Sequence, residues 1–133
     1  MTRYVIDAPT LLHLVGNGVH VDPSHQLVAP NGIRSQAMQL MLEEVRDGRL
    51  TESEALAHHE RLTELKMRLL GDRVSRRVAW SLARELDLMI GPAEYLAVTR
   101  LQADALVTVD PDLARTASGV VAVADVEDLG RTS

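Results

Sequence analysis

Two short apolar runs, each closing on an aspartate, stand near opposite ends of the chain: Tyr4-Val5-Ile6-Asp7 and Ala105-Leu106-Val107-Thr108-Val109-Asp110. Neither alternates apolar with polar side chains, so neither suits a strand with one face in water. Each reads as a strand buried on both faces, as in a parallel sheet. Parallel neighbours require crossover connections, and helices are the usual ones. The intervening sequence supplies them. From Gly32 to about Arg46 the positions Ile33, Ala37, Leu40, Met41 and Val45 recur at helical spacing, and Asp47-Gly48 is a stop. Thr51 to Glu54 is a capping-box sequence that opens a helix to about Leu65. A third long helix is expected over Arg73 to Leu88, with Val74, Val78, Leu82 and Leu86 at four-residue spacing.

The rest of the chain follows the same alternation. Pro9 to Val15 starts a helix, residues 16–25 form a loop, and Gln26 to Ala29 is a short strand. Leu65 to Leu70 reads either as a helix end or as a short strand. Pro92 suits the first turn of a helix through about Leu101, Pro111 that of a short helix after the second apolar run, and a last strand falls near Val120 to Val123. The expected fold is α/β: one domain over residues 1–133, with a central, mostly parallel sheet flanked by helices.

Composition removes several function classes. There is no cysteine, hence no disulfide, thiolate nucleophile or Cys-based zinc site. No apolar run approaches the roughly 18 to 20 residues of a membrane span, and no leader pattern opens the chain, so a cytoplasmic protein without membrane attachment is expected. The net charge of −5 argues against binding nucleic acid through global charge. Arg73, Arg77 and Arg84 can nevertheless share one helix face, with Arg76 off its centre line. With no Phe, one Trp and two Tyr, a broad stacking platform is not expected. Trp80 fits either the core or a dimer or partner face. No two of the five histidines stand four apart on a helix as zinc ligands would, and Gly16-Asn17-Gly18 lacks the Lys-Ser/Thr of a phosphate-cradling loop.

In open α/β sheets ligands bind beyond the carboxyl ends of the strands, so Asp7 and Asp110 meet there if their strands are neighbours across the switch point. Two carboxylates so placed suit a metal or phosphate site. Each alone is explained equally well as a strand end that caps the next helix. A receiver-like phosphoacceptor domain would need paired acids and a lysine, whereas a single Asp ends the first strand and Lys66 is the sole lysine.

The order of several segments resembles the PIN domains, in particular the small ribonuclease toxins of VapBC-type toxin–antitoxin pairs. The carriers are Tyr4-Val5-Ile6-Asp7-Ala8, Leu27-Val28-Ala29-Pro30, Gly48-Arg49-Leu50-Thr51 with Glu54-Ala55, Tyr95-Leu96-Ala97, and Leu106-Val107-Thr108-Val109-Asp110 followed by Leu113-Ala114. The resemblance spans nearly the whole chain. It implies a three-layer α/β/α sandwich, with acids around one or two Mg²⁺ or Mn²⁺ ions that activate water to cut RNA. It also implies a cognate antitoxin partner and a homodimer, for which the first two long helices, with Leu56, Leu62 and Met67, are the expected contact face.

Position by position, the first and fourth acids of that family fall on Asp7 and Asp110, the expected catalytic and metal-binding residues. The second falls on Gln36 and the third on Pro92, and the small hydroxyl after the first acid is displaced to Thr10. Gln36, Asp112, Glu94 and Thr10 are the candidate supporting residues. Losing two negative charges is expected to weaken Mg²⁺ or Mn²⁺ binding. Two functions follow from the resemblance: a metal-dependent endoribonuclease of reduced or lost activity, or a catalytically inactive PIN-like module that binds an antitoxin or dimerises.

Overall fold

The computed structural model describes residues 1–132. Strand β1 (Thr2–Ile6) lies at the centre of a five-stranded sheet. Its neighbours are β2 (His25–Pro30) on one side and β4 (Ala105–Val107) on the other, with β3 (Arg68–Leu70) and β5 (Val123–Ala124) at the edges. Every pairing is parallel. The two apolar runs are therefore adjacent strands, and the chain leaves β1 to build one half of the sheet before returning to β4 for the other. That reversal is the switch point at which such folds bind ligands.

Helices α1 (Ala8–Gly16), α2 (Ile33–Arg46), α3 (Glu52–Glu64), α4 (Arg73–Leu86), α5 (Ile90–Gln102) and α6 (Pro111–Ser118) cover the sheet. The result is the three-layer α/β/α sandwich with PIN-like topology. Helices α1, α2 and α3 pack against one another, while α5 lies on β1, β2 and β4 and carries α4 on its outer side. Val5, Ile6, Leu96, Leu106 and Val107 are completely buried, the strand residues alternating between the two faces of the sheet. Each such side chain contributes about 1.5–3 kcal/mol relative to exposure. Among the described residues no helix is long and apolar enough to cross a membrane.

Local chemistry sets the boundaries. Thr51 and Glu54 exchange the two hydrogen bonds of a capping box at 3.1 and 3.0 Å, as expected. Helix α2 ends at Arg46, and Gly48 takes a positive φ of 76° that a β-carbon would disfavour. Helix α4 stops at Leu86 rather than Leu88, because Asp87 turns left-handed at φ 54°. Helix α5 begins at Ile90, before Pro92, whose missing N–H falls among the unbonded donors of a first turn. The ambiguous Leu65 to Leu70 resolves into the edge strand β3. The last strand sits at Val123–Ala124 and leads into a 3-10 turn, Val126–Gly130, that the periodicity did not mark.

Several side chains stand elsewhere than periodicity placed them. Trp80 is 64% exposed and Val74 58%, so neither belongs to the core. In α4 the buried residues are Ala79 and Leu82, and the face opposite them faces water. Leu62 is completely buried and cannot form a dimer face, although its helix neighbour Leu56 is 62% exposed.

Candidate functional site

The sheet register brings the two acids together. Ile6 pairs with Val107, so the residues that follow, Asp7 and Thr108, emerge side by side at the carboxyl edge of the sheet. Thr108 donates its hydroxyl to Asp7 Oδ2 at 2.6 Å and accepts the Asp110 N–H at 3.0 Å. A single threonine thus links the two carboxylate residues. Both also cap helices. Asp7 Oδ1 accepts the Thr10 N–H at 3.1 Å to open α1. Asp110 Oδ1 accepts the N–H groups of Asp112 at 2.9 Å and Leu113 at 3.5 Å to open α6. In each case a proline follows in the first turn. The capping role expected of either acid alone is realised in both.

Their surroundings differ. Asp7 is 3% exposed, and besides the Thr10 N–H and Thr108 hydroxyl it accepts the Thr10 hydroxyl in a very short hydrogen bond. Three of the roughly four lone-pair positions of a carboxylate are therefore filled from inside the protein. Thr10 is fully buried and also accepts the Val109 N–H at 3.0 Å. It anchors the turn after β4 and holds Asp7, without lining the cleft. Asp110 is half-buried, and among the described residues its Oδ2 receives no donor.

The four positions singled out by the sequence resemblance lie together. Asp7, Gln36, Pro92 and Asp110 line one open cleft of about 360 Å³, with Pro9, Gln39, Leu40, Tyr95 and Leu113 completing its wall. Tyr95, 4% exposed, donates its hydroxyl to Gln36 Oε1 at 2.5 Å. Burial, and then the charge of Asp7, raise the Tyr95 phenol well above its ordinary range, so it remains a proton donor. The neutral Gln36 is matched to that donor.

The remaining candidates lie elsewhere. Asp112 is exposed and paired with Arg115. Glu94 lines a separate hollow with Arg76 and Trp80 on the other side of the first turn of α5. Sequence reasoning missed Thr108 as the linking residue and Tyr95 as the partner of Gln36. The hydroxyl inside an otherwise apolar Val107-Thr108-Val109 run was the available sign of the first.

These residues do not fit a resident Mg²⁺ or Mn²⁺. Mg²⁺ keeps several of its waters and is anchored by one or two carboxylates, whose oxygens must be free to bind it. Here Asp7 is nearly saturated, the Gln36 oxygen is engaged by a phenol and Pro92 offers no donor. Among the described residues no three His, Cys, Asp or Glu side chains converge as a metal site.

No protein-family model matches the sequence, and no curated protein matches it. Solved structures do. PAE2754 from Pyrobaculum aerophilum superposes with a TM-score of 0.72 at 22% identity, over 96% of this chain and 93% of that one. VapBC-1 from nontypeable Haemophilus influenzae gives 0.63 at 14% identity, over 94% of this chain and 98% of that one. At these identities the likeness is one of fold.

Proposed function

We propose that this chain is a PIN-like interaction module of the toxin–antitoxin type, whose cleft no longer supports metal-dependent cleavage of RNA. One observation carries the reading: the Asp7 carboxylate, first of the family's acids, is taken up by Thr10 and Thr108 as a structural cap. A nuclease centre of this kind needs charge left over to hold a cation and a scissile phosphate. Of the four oxygens of the two acids, Asp110 Oδ2 alone is left without a donor among the described residues, and one free oxygen offers little to a divalent ion.

The partner proposed is a cognate antitoxin-like protein, and its seat is the groove beside the cleft. Pro9, Leu12, Leu40, Met41, Leu50 and Val109 give an apolar lining to a hollow of about 430 Å³ between α1, α2 and the α3 entry. Pro9 and Leu40 also line the cleft, so the two depressions are continuous. An amphipathic partner helix or extended segment would bury its apolar side chains there.

Convergence of the four family positions on one cleft favours the second reading, an endoribonuclease that recruits Mg²⁺ or Mn²⁺ through Asp7 and Asp110. The two separate in one experiment. The protein is tested for RNA cleavage in Mn²⁺, and for capture of the product of the adjacent reading frame, as wild type, Asp110→Asn and Leu40→Asp. No cleavage, with capture retained in Asp110→Asn and lost in Leu40→Asp, is the expected result. Mn²⁺-dependent cleavage abolished by Asp110→Asn would establish the nuclease instead.

A further inference from the structure

Helix α4 carries a feature that the cleft and its groove do not use. At about 100° per residue, Arg73, Arg77, Trp80 and Arg84 fall within about 60° of one another, and the stripe runs about 16 Å along the axis. It lies opposite Ala79 and Leu82, so all four side chains stand in water. Arg76 flanks it. Among the described residues no ion pair ties down any of these four arginines, on a chain whose net charge is −5. The only tryptophan of the chain, 64% exposed, stands in the middle.

Beside Trp80 is a hollow of about 330 Å³, walled by Ala79 and Ile90 and carrying Arg76 and Glu94. Its chemistry is unusual for a bare surface. The indole supplies an aromatic face, Ile90 an apolar wall, the guanidinium a fan of donors and the carboxylate an acceptor. Those are the elements that hold a flat heterocycle bearing both donors and acceptors on its edge. The flanking arginines add what an anionic backbone needs, and the step of about 6 Å from Arg73 to Arg77 lets each meet a different phosphate.

We infer that the outer face of α4 binds single-stranded nucleic acid, with one base against Trp80 between Arg76 and Glu94 and the neighbouring phosphates on Arg73, Arg77 and Arg84. An apolar partner helix seated there would strip water from four arginines without supplying counter-charges. The sugar-phosphate chain supplies one at each step. This activity involves no residue of the cleft or of the apolar groove, and it stands or falls separately from the function proposed above.

Because Trp80 is the only tryptophan, its fluorescence reports the site directly. A mixed-sequence RNA dodecamer is titrated into the protein at 50 and 200 mM salt, with heparin and polyglutamate as comparison polyanions. Saturable quenching by the dodecamer is expected, with affinity falling roughly 20- to 50-fold between the two salts if three or four phosphates are neutralised. Heparin should displace the dodecamer without quenching of its own. With a dye-labelled dodecamer, Trp80→Leu should weaken binding about 10-fold or more, and Arg77→Ala should lower the salt slope by about 0.7. Absence of quenching and of labelled binding would overturn the inference. So would unchanged affinity in Trp80→Leu, and polyglutamate quenching as strong as that of RNA would assign the face to an acidic protein instead.

Discussion

At the carboxyl edge of the sheet an aspartate that is 3% exposed takes three protein hydrogen bonds, whereas on the outer face of α4 four arginines stand in water with no ion pair among the described residues. The fold offers a ligand site at the first place, and its charge has been absorbed into the scaffold. At the second, where the fold dictates nothing, charge and an aromatic ring are left available. Position in a fold therefore says where chemistry could occur; the hydrogen-bond inventory of the side chains there says whether any remains to be used.

The contrast can be broken most forcefully at Asp7. Asp7→Ala leaves the buried Thr10 N–H and hydroxyl and the Thr108 hydroxyl without their acceptor, and should cost about 3–5 kcal/mol in urea unfolding. Arg77→Ala should stay within about 0.5 kcal/mol. Equal losses would remove the distinction between a scaffold charge and a free one. Next in size, Leu62→Ala should cost about 2–5 kcal/mol from a completely buried position, while Leu56→Ala on the same helix should change little. Near-equal values would return Leu62 to an exposed face.

Thr108→Val sharpens the link between the two acids. It removes a donor to Asp7 and the acceptor of the Asp110 N–H, and should cost about 1–3 kcal/mol. Asp110→Ala, the loss of a half-exposed cap, should cost about 1 kcal/mol. Asp110 falling well below Asp7 in the same assay is the quantitative form of the claim that one acid is structural and the other merely caps.

The strand runs, the helix order and the capping box were all legible, because periodicity and turn chemistry are written in single residues. So was the meeting of Asp7 with Asp110, once β1 and β4 were taken as neighbours across the switch point. What periodicity could not report was which hydrogen bonds would fill Asp7. Thr10 caps locally, three residues after Asp7, but Thr108 comes from a distant segment, and only the Ile6–Val107 register makes it a second partner of the same carboxylate. Trp80 was open for a related reason. Helical spacing admits both the core and an outer face for it, and the structure decides: α4 buries Ala79 and Leu82 and leaves the indole outside.

The smallest effects are in pH. A hydrogen bond from the Ser75 N–H holds the Asp72 carboxyl below its ordinary range, and one from the Thr51 N–H does the same for Glu54. Folded values below the unfolded ones mean that these caps add stability above the ordinary carboxylate range and lose it as pH falls through the folded values. The Tm difference between wild type and Asp72→Asn should therefore shrink on acidification. A constant difference would show that the charge plays no part. Tyr95 runs the other way. Its raised phenol contributes stability that is present below the ordinary phenol range and lost as pH rises through the folded value. Its phenolate band should thus appear only with unfolding in alkali, and appearance in the folded protein would contradict its burial beside Asp7.

The most direct test of the central claim is a calorimetric titration of Mn²⁺ into the wild-type protein and into Asp110→Asn. An absorbed acidic site predicts no saturable heat from either protein at millimolar metal. One-to-one binding by the wild type that disappears in Asp110→Asn would show that the cleft still holds a cation, and the account of a disarmed site would be wrong.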